Sequence, residues 1–114
     1  MSTIYTLRDL VDYCYNNRNT RAYRNHTYEE IARDIVSKNL YNGVVYVEDS
    51  QGICGVCVFS VFHDLKQVYI HQIIAQRAGF RTLIHEARRR YPGYKIQGKR
   101  KDTIKTFKHL EIYG

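Results

Sequence analysis

The sequence predicts an α/β domain of the α+β kind, with a mixed, mostly antiparallel sheet flanked by helices. Three observations lead there. Apolar residues recur at helical spacing through residues 1–42, and beyond residue 43 they give way to runs of β-branched and aromatic residues. Linkers of hairpin length separate those runs. A glycine then opens a second helical pattern, and another short strand-like run follows it.

The first helix starts at Thr6 and Asp9, which have capping-box spacing, and its stripe is Leu7, Leu10, Val11, Cys14 and Tyr15. The stretch "NNRNTRAYRNH" reads as a polar connection. Thr27-Tyr28-Glu29-Glu30 is a full capping box, and behind it Tyr28, Ile31, Ala32, Ile35 and Val36 form one apolar face. That helix should stop near Asn42-Gly43. "GVVYVE", "ICGVCVFSVF" and "QVYIHQIIA" are the strands of a three-stranded antiparallel meander, joined by Asp49–Gly52 and His63–Lys66. A helix from about Gly79 places Phe80, Leu83, Ile84, Ala87 and Tyr91 on one face and ends at Pro92-Gly93. "YKIQG" reads as a short fourth strand. Asp102 then reads as the N-cap of a last helix carrying Ile104, Phe107, Leu110 and Glu111.

With 114 residues the chain makes a single domain, 1–114, with a helical part at 1–42 and the sheet and its helix at 43–114. No run approaches the roughly 18 consecutive apolar residues of a membrane span. The N-terminus shows no secretory signal, so a cytoplasmic protein with no membrane partner is expected. Three cysteines cannot all pair within one chain. Cys54 and Cys57 form a C-x-x-C, but on a strand side chains three apart point to opposite faces. They are expected to be small buried hydrophobes, as is Cys14, and no spacing of metal ligands is present.

Charge is unevenly placed. Residues 1–76 hold seven Lys/Arg against eight Asp/Glu, for −1; residues 77–114 hold eleven against three, for +8. Such a half attracts anions: nucleotide phosphates, nucleic acid or an acidic protein surface. "QRAGFRTLIHEARRRYPG", Gln76 to Gly93, concentrates this pattern. A glycine stands where a strand hands over to a helix, with Arg77 and Arg81 on either side. Helix N-termini bind phosphate, and glycine lets backbone approach closely.

In this order, Gln76-Arg77-Ala78-Gly79-Phe80-Arg81 resembles the Q/R-x-x-G-x-G/A turn of the acetyl-CoA-dependent N-acyltransferase (GNAT) superfamily. "KRKDTIKTFKHLEIYG" resembles that family's closing helix. The likeness covers roughly residues 43–114 and extends to short, divergent members encoded by tailed phages, some of which travel in the virion. It implies a GNAT-like fold, a co-substrate acetyl-CoA, and an amine acceptor. The coenzyme would lie along Ile73, Ile74, Gln76, Arg77, Gly79, Phe80, Arg81 and Thr82, with strand N–H groups near Ile73 and Ile74 polarising the thioester. Three positions depart from the family pattern. Arg81 replaces the second small residue, and Phe107 stands where a tyrosine commonly protonates the leaving thiolate. With the chain stopping at Gly114, the family's last hairpin is missing and the sheet is expected to be truncated at the C-terminus.

For a general base, His71 on the strand before the turn has the best intrinsic pKa. Glu48 and His63, near strand ends, are poorer candidates. A non-catalytic alternative uses the same charge differently: a virion-associated or nucleic-acid- or protein-binding domain, with Arg88, Arg89, Lys99, Arg100 and Lys101 as its anion contacts.

Overall fold

The computed structural model describes residues 4–100 and 103–106. Helices α1 (Leu7–Asn16) and α2 (Tyr28–Asn39) begin at the two expected capping boxes. At the first, Thr6 N–H donates to Asp9 Oδ2 (2.8 Å) and Asp9 N–H to Thr6 Oγ1 (3.2 Å). Glu30 and Thr27 exchange the same pair of bonds at the second. A cap of this kind stabilises a helix by about 0.5–2 kcal/mol. The connection between the helices is less polar than its composition suggests. Ala22 and Tyr23 are buried in it, with Tyr23 in the left-handed region (φ 54°). The Tyr23 hydroxyl donates to Asp34 Oδ2 at 2.5 Å, which pins the connection to α2.

Strands β1 (Val44–Asp49), β2 (Gly52–Phe62) and β3 (Gln67–Ala75) form the antiparallel meander. Helix α3 (Gly79–Arg90) crosses back to β4 (Lys95–Arg100), which pairs with β3 in parallel. The order is β1-β2-β3-β4-β5, the last being β5 (Thr103–Thr106), antiparallel to β4. Helices cover both faces. Val56 and Val58 of β2 pack with Leu10, Cys14, Ile31 and Ile35 under α1 and α2, while Cys57 and Phe59 pack with Leu83, Ile84 and Ala87 under α3. The alternation expected of a strand buried on both faces is thus realised in β2.

Strand β5 corrects two expectations. Residues 103–106 belong to a strand, not to a helix begun by Asp102, and the sheet continues past its fourth strand. Thr103, Ile104 and Thr106 are β-branched, and β4 offers them an edge to pair with: Arg100 faces Thr103 and Lys99 faces Ile104. Asp102, Phe107, Leu110 and Glu111 lie outside the described residues.

Phe80 needs a third correction. It is 38% exposed, and the inward stripe of α3 is Gly79, Leu83, Ile84 and Ala87. The glycine sits where the large ring was expected because the helix begins in contact with β2.

Two β-bulges shape what lies near that contact. In β2 the pairing skips Cys54, between Val47↔Gly55 and Glu48↔Ile53, and the Cys54 carbonyl accepts the Gln76 N–H at 2.9 Å. In β3 it skips His71, between Val58↔Gln72 and Phe59↔Ile70. Such an extra residue reverses the face that later side chains take. Val68 and Ile70 accordingly belong to the α3-side core, while Ile74 belongs to the core under α1 and α2.

Candidate functional site: the strand–turn–helix junction and the groove under α2

The turn from β3 into α3 is tight. Gly79 N–H donates to Gln76 O (2.9 Å), and between them Arg77 is left-handed (φ 54°) while Ala78 is not (φ −90°, ψ 10°). Ala78 is the N-cap of α3 and contributes no capping side chain.

The residues of this segment are less free to meet a ligand than their types suggest. Gly79 is buried, and a Cβ there would lie 2.8 Å from the Cys54 carbonyl carbon and nearer still to its oxygen. Close packing on β2 therefore accounts for the glycine. Arg77 turns away to the β1–β2 hairpin, where its Nε and Nη2 grip both carboxylate oxygens of Asp49. That guanidinium, with the Gln51 N–H, holds the Asp49 carboxyl below the usual carboxylate range. Gln76 reaches α1, donating to Asn17 Oδ1 at 2.7 Å. The Thr82 hydroxyl bonds back to Ala78 O (3.0 Å) within the helix. Arg81 is exposed at the helix start.

Upstream, Ile73 packs toward α3 and Ile74 is buried toward α1 and α2, so both side chains serve the core. Their backbone lies differently. Pairing of β3 with β4 runs only from Gln67↔Lys95 to Ile70↔Gly98, while on its other edge β4 pairs with β5 from Gln97↔Thr106 to Arg100↔Thr103. Beyond Ile70, among the described residues, β3 has a strand neighbour on its β2 side alone. This open edge runs into the Gln76–Gly79 turn. From His71 to Gln76 it covers roughly 17 Å, at about 3.3 Å per residue.

At the branch point stands His71. It is exposed, its Nε2 lies 2.7 Å from Ser60 Oγ, and the ring of Tyr69 packs edge-on at 5.1 Å. Because of the bulge, His71 and Gln72 line one groove together with His26, Glu30, Arg33, Asp34 and Lys38 of α2 and its approach. Gln72 Oε1 accepts the Tyr23 N–H (3.2 Å), and Lys38 Nζ holds Asp34 at 3.0 Å. Desolvation of the ring lowers the His71 pKa, and the Lys38 charge adds to this while Asp34 opposes it, a direction that favours the neutral imidazole.

Among the remaining candidates, Glu48 pairs in β1 and His63 Nδ1 meets the Tyr94 hydroxyl at 2.9 Å, far from the groove's residues in the fold. Burial pushes the Cys14 and Cys57 thiols up to about 12, and all three cysteines are free and buried, so thiolate chemistry has no site. Among the described residues no group of three or more His, Cys, Asp or Glu is placed to hold a metal ion. No helix there is long and apolar enough to cross a membrane.

The basic cluster is partly neutralised. Arg89 and Arg90 both bond the Glu86 carboxylate, and Arg88 is half-buried. Lys99 and Arg100 stand on β4 opposite β5, and Lys101 lies outside the described residues.

Sequence reasoning alone missed Ser60, Asp34, Lys38 and Gln72. One signal was present: after Val68 and Ile70 the alternation breaks into Ile73-Ile74, as a bulge would make it. No family model, curated protein or solved structure matches this chain.

Proposed function

We propose that the chain is a GNAT-like N-acyltransferase that moves an acetyl group from acetyl-CoA to an amine. What supports this most is the course of β3, which among the described residues pairs with β4 only as far as Ile70 and then runs on toward the start of α3 with β2 as its one strand neighbour. Coenzyme A has the matching chemistry. Its pantetheine arm is extended and carries amides, which can bond a strand edge as a further strand would. Its pyrophosphate suits a helix N-terminus such as that of α3.

On this reading, N–H groups of the β3 edge near Ile73 and Ile74 polarise the thioester carbonyl, and the acceptor amine enters from the groove under α2. His71 takes the proton from that amine as it attacks; the carbonyl collapses and the coenzyme A thiolate leaves. A thiolate is a fair leaving group even when water protonates it.

The test is thiol release from acetyl-CoA in the presence of a polyamine or a lysine peptide, with the acetylated amine identified by mass. Slow release that depends on the amine is expected. Absence of amine-dependent release would refute the assignment.

A further inference from the structure

Direct attack by an amine leaves Ser60, the hydroxyl partner of His71, without a role. Ser60 projects from β2, and its hydroxyl lies 2.7 Å from His71 Nε2, within reach for proton transfer. The sheet fixes the pair from both sides: Ser60 stands opposite Tyr69, and His71 is the extra residue of the bulge that follows at once. The Tyr69 ring supports the imidazole. The groove beside it is open and of mixed charge, with Arg33 and Lys38 as its cations, Glu30 and Asp34 as its carboxylates, and Lys38 paired with Asp34.

We propose that Ser60 and His71 act as a nucleophile–base dyad that accepts an acyl group from a thioester or activated ester as an O-acyl-serine.

Neutral His71 takes the Ser60 proton on Nε2 while Oγ bonds to the acyl carbon. The tetrahedral oxyanion collapses, the bond from the acyl carbon to sulfur or oxygen breaks, and the leaving group receives the proton from Nε2. Water or an amine then attacks the acyl-serine, giving its proton to His71, and Ser60 leaves and recovers it. Desolvation and Lys38 favour the unprotonated form of His71, Asp34 works against this, and His26, Glu30 and Arg33 are the other ionisable groups facing the groove. The buried thiols do not compete for the acyl group.

None of these steps needs coenzyme A, so the dyad can be tested apart from the acetyl-CoA assignment. The probes are p-nitrophenyl acetate and a fluorophosphonate, with acid quench and peptide mapping of the adduct. One hydroxylamine-labile acetyl group, and one phosphonyl group, should map to Ser60. Ser60→Ala should abolish both, and His71→Gln should slow them by about 10²-fold or more. Circular dichroism checks that each variant folds; the map of the unaltered protein decides in any case, because it locates the adduct. No adduct on Ser60, or labelling as fast in folded His71→Gln, overturns the dyad. Amine acetylation from acetyl-CoA without a Ser60 adduct would overturn the dyad and leave direct transfer standing.

Discussion

Gly79 lies against the carbonyl of Cys54, so closely that a Cβ on the first residue of α3 would overlap the β2 backbone. The same carbonyl accepts the Gln76 N–H, so one bulged residue of β2 fixes both ends of the turn. Gly79→Ala should therefore destabilise the fold by about 1–3 kcal/mol, the cost of overpacking a site where backbone must move. Urea unfolding measures this. An unchanged midpoint would mean that α3 starts farther from β2.

Leu83 anchors α3 on the sheet and is 1% exposed. Leu83→Ala should cost about 2–5 kcal/mol by the same measurement. A loss near zero would show that this face of the helix does not meet the core.

Asp49 and Arg77 join the β1–β2 hairpin to the turn, and the bond lowers the Asp49 pKa while raising that of Arg77. A carboxyl whose folded pKa is depressed stabilises above its unfolded value, about 4, and loses that contribution as pH falls through the folded value. Wild type should therefore melt above Asp49→Asn at neutral pH, and the two should converge in acid. Thermal melts across that range check it. A gap independent of pH would assign the effect to packing, not to charge.

Ala78 leaves the start of α3 without a capping side chain. Ala78→Asp should supply one, raising stability by about 0.5–2 kcal/mol. It should also place a negative charge where a pyrophosphate is expected and weaken acetyl-CoA binding. Opposite signs in melting and calorimetry are the expected outcome. Equal coenzyme affinity in the variant would remove the turn from the binding site.

The basic half gives a further test through salt. Glu86 already engages Arg89 and Arg90, so binding of duplex DNA should be weak. A tight association that falls steeply as salt rises, and is lost on charge reversal at Arg88 and Lys99, would instead favour the binding role.

Much of the fold was legible because local signals agreed with it. Thr6 and Thr27 began their helices, and the meander and the helix at Gly79 fell where periodicity and linker lengths placed them. Phe80 and residues 103–106 were misread for one reason: tertiary contact overrode local pattern. The β2 backbone left no room for a side chain at Gly79, and the β4 edge gave Thr103–Thr106 a pairing partner. The site was half legible. His71 stood out by its chemistry, but its neighbours Ser60, Asp34 and Lys38 come from other elements, and a single skipped residue in β3 turns His71 and Gln72 to one side.

The central claim, that acetyl-CoA lies along the open edge of β3 and ends at the start of α3, is tested most directly by mapping backbone amide shifts as acetyl-CoA is added. Saturable shifts should appear at His71–Ala75 and Arg77–Arg81, with little change along β1. Absence of any shift at millimolar coenzyme, or shifts confined to Arg88–Arg90 and Lys99–Arg100, would contradict it.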